Sequence, residues 1–161
     1  MTSKIRTKLR EKGSKNRCYF SGEFKKYGFK YSDRNKSHAL PTILLMNIKD
    51  EQHQLLTDHL WFNVTKGFRS LGILQLGDQV SFNGRVKPYK KGYQGRRKGI
   101  QREIQIDYKI DRPTQVKLIV SVHNFERDQF LSENWKMCNQ IYEMYKSDYQ
   151  LRGIPLPYPE Y

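Results

Sequence analysis

Two stretches of strict alternation do most to limit what this chain can fold into. In "GDQVSFNGRVK", Val80, Phe82 and Val86 alternate with Gln79, Ser81, Asn83, Arg85 and Lys87. In "IQIDYKIDRP", Ile104, Ile106, Tyr108 and Ile110 alternate with Gln105, Asp107 and Lys109. Side chains along a strand point to opposite faces in turn, so a period of two puts one set on a core and the other in solvent. Both segments are expected as half-buried strands, the second ending at Pro113. Between them runs "GRVKPYKKGYQGRRKGIQR", Gly84 to Arg102, with eight basic side chains, two tyrosines, four glycines and no acid. Like charges this close repel one another and gain nothing from packing. The stretch is a solvated connection or an interaction surface.

The rest of the chain adds strands and then one change of period. "RCYFSGEFKKYGFKY" (17–31) holds Cys18, Phe20 and Phe24 on one parity and Tyr27, Phe29 and Tyr31 on the other, which predicts one long strand with a bulge. "SDRNKSH" is a polar turn and "LPTILLMNIKD" a buried strand. In "DHLWFNV", Leu60, Phe62 and Val64 take the inner face, and His59, Trp61 and Asn63 the outer one. "TKGFRSLGIL" has room for a short helix only, with Phe68, Leu71 and Leu74 closing one end of a sheet, and "VKLIVSV" (116–122) offers a further strand. From Asp128 to Gln150 the spacing becomes helical: Leu131, Trp135, Cys138, Tyr142, Tyr145 and Tyr149 recur at intervals of four and three. Gly153 and Pro155 stop that helix. The expected organisation is a basic N-terminal arm (1–16), a β body (17–124), and an amphipathic helix with a Pro-rich tail (125–161).

Charge is spread unevenly over these parts. The chain carries a formal +14, yet residues 125–161 hold six acids and four bases, so residues 1–124 carry +16. Residues 1–17 alone hold seven bases and one acid, which reads as a short fraying helix or a disordered arm, either a solvated tail or a segment that tracks phosphates. Such a balance fits a polyanionic partner, most often nucleic acid. Cys18 and Cys138 are far apart and form no CxxC pair, which points to a reducing compartment and a cytoplasmic location. No run of eighteen apolar residues occurs, so no membrane span is expected.

The order strand, strand, strand, short helix, strand, strand, with a long bulged first strand, resembles the oligonucleotide/oligosaccharide-binding (OB) fold. The resemblance covers 17–113 and rests on "YFSGEF", on the helical turn after "DHLWFNV", and on "LGDQVSFNGRV". The chain is also similar to the small basic OB proteins of bacterial plasmids and phages. The resemblance implies a mainly β fold: a five-stranded OB-like barrel with a short helix between strands three and four, followed here by the C-terminal helix. It further implies a ligand face on strands two and three, flanked by the loops joining strands one to two and four to five. Those loops are "SDRNKSH" and the basic hairpin, so the charge falls where that fold would use it.

Single-strand binding needs cations along a phosphate track and aromatic faces on which bases stack. The candidate cations are Lys25, Lys26, Arg85, Lys87, Lys90, Lys91, Arg96, Arg97, Lys98 and Arg102, and the candidate stackers are Tyr27, Trp61, Tyr89 and Tyr93. Trp61 leads because its neighbours Leu60, Phe62 and Val64 claim the inner face; the competing reading buries it under the C-terminal helix. The four histidines show no ligand spacing, so no metal or other cofactor is expected. Asp78 with Asp107 and Lys109 superficially resembles a nuclease layout, but a turn and an outward strand face explain them more simply. The expectation is a non-enzymatic binder of single strands, DNA ahead of RNA, with little sequence preference, in replication, recombination or transfer of a mobile element. Two others stand beside it: an adaptor or inhibitor docking on a nucleoprotein complex such as a host defence nuclease, and a ribosome-associated OB protein. The helix around Leu131, Trp135, Tyr142 and Tyr145 packs on the barrel or meets a partner or second copy.

Overall fold

A computed structural model describes residues 6–13, 15–91, 105–122 and 126–158, and the alternating segments are strands in it. They are β1 (Cys18–Tyr31), β2 (Ala39–Lys49), β3 (Leu55–Asn63), β4 (Gln79–Lys91) and β5 (Gln105–Val120). All pair antiparallel in one sheet of order β3-β2-β1-β4-β5. The parity change in β1 has its bulges: the register against β2 shifts between Ser21 and Glu23 and again between Phe24 and Lys26. Phe20, Phe24 and Tyr27 can therefore all face one core.

The sheet is strongly curled. Phe62 on β3 and Phe82 on β4 lie three strand spacings apart in the sheet, which would be about 14 Å if it were flat. Their ring centroids are 5.2 Å apart. Phe68 of the short helix α2 (Lys66–Arg69) closes on both, at 5.8 and 6.1 Å. Even so, β3 and β5 are the two ends of the sheet order, so the sheet is not closed into a barrel.

Strand β5 corrects the expectation that Pro113 ends a strand. It runs on to Val120, taking in the apolar stretch read as a separate strand, and stays paired with β4 through Thr114, Leu118 and Val120. Proline is tolerated because β5 is an edge strand and is irregular here: Arg112 and Gln115 have φ of 51° and 52°, and the register against β4 shifts nearby. The expected alternation also fails at its start. Ile106 is 46% exposed, whereas Asp107 is fully buried.

A contact distant in sequence explains the inversion. Residues 7–12 form helix α1 (Thr7–Lys12), which is docked through the fully buried Leu9 and is not a free arm. Ahead of it, Arg6 donates its backbone N–H to Asp107 Oδ1 (2.9 Å), and its guanidinium donates to Tyr89 Oη (2.9 Å) and to the Tyr108 carbonyl (3.1 Å). At the other end, Lys12 Nζ meets Asp50 at 2.9 Å in the turn between β2 and β3. That carboxylate also accepts the N–H groups of Gln52 and Gln54.

The C-terminal helix is interrupted, although Cys138, Tyr142 and Tyr149 of its stripe are buried on either side of the break. Helix α3 (Asn134–Met144) stops at Tyr145 (φ −122°), and α4 (Lys146–Leu151) starts anew. The buried residues of α3 are Met137, Cys138, Ile141 and Tyr142, and Met137 and Ile141 join the same core as the strands. Leu131, expected on that face, is 50% exposed ahead of the helix, and Trp135 is half-buried. The tail folds back: Tyr142 Oη donates to the Ile154 carbonyl (2.8 Å), and Tyr158 Oη accepts the N–H of Ala39 (2.7 Å). Among the described residues no helix is long and apolar enough to cross a membrane.

Candidate nucleic-acid interface

Trp61 is 47% exposed and is not covered by the C-terminal helix. The register places Lys26, Leu44 and Trp61 in one row across β1, β2 and β3, with Gly28, Thr42 and Asn63 in the next. From β3 the indole leans across to β1. A Cβ placed on Gly28 would stand 3.2 and 3.3 Å from Trp61 Cζ3 and Cη2. Beneath it Leu44 and Thr42 are buried. Lys26 Nζ lies 5.9 Å from the ring centroid, a separation at which the ammonium is attracted to the π face.

A groove of about 880 Å³ opens beside this ring. Its walls come from β1 (26–31), from β3 with Trp61 and Asn63, from β5 with Lys109 and Ile110, and from α4 with Tyr149. It also holds a second lysine–aromatic pair, Lys36 Nζ 5.9 Å from the Tyr31 ring, at the loop between β1 and β2. A third pair overlaps its rim: Lys109 lines the groove and lies 5.8 Å from the Tyr89 ring at the base of the basic hairpin. The lining holds Lys26, Lys30, Lys36, Lys109 and Arg152 against two carboxylates, Asp111 and Asp148, the second paired with Arg152, a balance that favours an anion. Each pair offers a ring for a base and a cation for its phosphate.

Strands β4 and β5 also put like charges together. Lys87 is directly opposite Lys109, an arrangement that destabilises a bare sheet. Each is drawn aside, Lys87 Nζ to Asp111 at 3.9 Å and Lys109 to Tyr89.

Of the residues singled out in the sequence, Lys26, Trp61 and Tyr89 fall in these pairs, while Lys25, Arg85, Lys87 and Lys90 are exposed basic positions. Tyr27 does not serve as proposed. It is 2% exposed, its ring packs edge-on against Phe130 at 4.9 Å, and its Oη accepts the N–H of Leu74 at 2.9 Å. It is a core residue, and burial pushes its phenol well above the ordinary value. The Lys91 side chain, and Tyr93, Arg96, Arg97, Lys98 and Arg102, lie outside the described residues. Tyr31, Lys36 and Lys109 were missed. Tyr31 ends β1 and Lys36 lies in the seven-residue loop that follows, and nothing local in the sequence joins them; Lys109 was read as an outward strand position or as part of a nuclease-like layout.

The buried carboxylates have structural partners. Asp78 accepts the N–H groups of Gln75 (2.7 Å) and Val122 (2.9 Å) and pairs with Arg127. Burial alone would raise its pKa, but these partners outweigh it and hold the carboxyl below the usual range. Asp107 is held by Arg6 and by its neighbour's N–H, from Tyr108. No protein-family model, curated protein or solved structure matches this chain.

Proposed function

We propose that this protein binds single-stranded nucleic acid along the groove between β3 and β5, by base stacking on Trp61 and phosphate contacts to the surrounding lysines. The exposed indole carries the proposal: a large ring, 47% exposed, leans from β3 across the sheet to Gly28, where a side chain would crowd it, with the Lys26 ammonium 5.9 Å from its centroid. The same reading takes the fold as an OB barrel left open along one seam. Supporting it are the strand order, the curl that brings Phe62 to Phe82, and a groove lined by both end strands. The loops flanking the ligand face in that fold correspond here to 32–38 and the basic hairpin. Strand choice by stacking and charge leaves sequence preference low over most of the site.

The chain has two tryptophans, so Trp135→Phe leaves Trp61 as the sole indole. Titrating that variant with oligo-dT should quench and saturate its emission in step with binding measured by anisotropy. Binding with no change in Trp61 emission would remove the stacking site.

A further inference from the structure

We propose that Asn63 hydrogen-bonds the edge of the base stacked on Trp61, so that one nucleotide of the bound strand is selected and adenine is favoured there. The inference rests on the single-strand reading and adds base choice at one position. Three side chains leave β3 outward at two-residue intervals, His59, Trp61 and Asn63, and all three are exposed. Two residues of strand span about 7 Å. Asn63 shares its row with Thr42 and Gly28, the residues beneath the far rim of the indole. A base laid on the indole therefore has an edge over the row in which Asn63 stands. The carboxamide presents a donor and an acceptor side by side, the pairing that matches the N6 amino group and N7 of adenine. Among the described residues it has no competing side-chain partner.

A second polar group adjoins it. Thr65, two residues on, also lines the groove and precedes α2 without capping it by its side chain. Its Oγ1 is buried and has no hydrogen-bond partner among the described residues. A hydroxyl in that state is unfavourable unless another state of the protein uses it.

The test uses the full chain and a set of dT 15-mers, each with a single dA at a different position, measured by anisotropy against all-dT. The wild type should bind one of the substituted strands about five- to fifty-fold more tightly than all-dT. Asn63→Ala should bind the preferred strand and all-dT equally, whatever its affinity for all-dT. Thr65→Val should weaken the preference while leaving the melting temperature unchanged or raised, which a purely structural threonine would not do. A preference that survives in Asn63→Ala, or tight binding with no preferred position in the wild type, overturns the inference and leaves single-strand binding standing. Failure to bind any strand overturns both.

Discussion

At Gly28 a single added methyl group would meet the Trp61 ring at 3.2 Å and Thr42 Oγ1 at 3.1 Å, closer than ordinary contact. Gly28→Val should therefore lift the indole from the sheet, shift its emission and weaken single-strand binding about as much as Trp61→Ala. For Trp61→Ala itself the expected cost is about 1–3 kcal/mol of binding. Because the ring is half outside the core, the melting temperature should hardly move, and a large loss of stability would take Trp61 out of the site. Tyr27→Phe gives the opposite signature. It removes the oxygen that accepts the buried Leu74 N–H, costing about 1–3 kcal/mol of stability, with affinity unchanged. At this scale Trp61 was legible because alternation on β3 fixed its face. Tyr27 was misread because the β1 bulge returns it to the core, and a bulge shows in the sequence only as a change of parity, without its exact place.

Helix α1 is the element whose role differs most from its composition. A basic terminal segment reads as solvated, yet Leu9 is fully buried and Arg6 and Lys12 each reach a buried carboxylate. Deleting residues 1–12 should lose about 1.5–3 kcal/mol for Leu9 alone, and it removes the Lys12 contact to Asp50 and the Arg6 contacts to Asp107. Thermal unfolding of the truncated chain at an unchanged midpoint would contradict this. Acid should act on the same contacts. Burial works to raise Asp50, but Lys12 and the N–H groups of Gln54 and Gln52 outweigh it and hold the carboxyl below the usual range. Asp78 is held low by Arg127 and two N–H groups. A lowered folded pKa contributes stability above the ordinary carboxylate value of about 3.9 that is lost as pH falls through the folded value. Melting temperature should therefore fall steeply below about pH 4, and Asp50→Asn and Asp78→Asn should each flatten that fall. The strands were legible because alternation is a local signal. The course of β5 was not, since the Asp107 inversion depends on a partner a hundred residues away and the passage through Pro113 on the sheet having an edge there. The helix stripe was legible in part: Cys138, Tyr142 and Tyr149 are buried as the spacing predicts, but Leu131 precedes the helix and is exposed, while Met137 and Ile141 join the core.

Over the whole molecule, the proposed binding divides into separable contributions from the +14 charge and from the aromatic groove. Charge attracts any nucleic acid and weakens with salt, whereas stacking needs exposed base faces and does not. If about five to seven cations reach phosphates of a single strand, log affinity should fall with log salt at a slope of about −3.5 to −5, from roughly −0.7 per contact. Duplex DNA presents at least as much charge but hides its bases from Trp61. The most direct test is a salt titration of single-stranded and duplex DNA of equal length against the same protein. The single strand should bind more tightly, and its advantage should widen as salt rises. Equal affinities with equal slopes would show that charge alone is at work and would contradict a stacking groove.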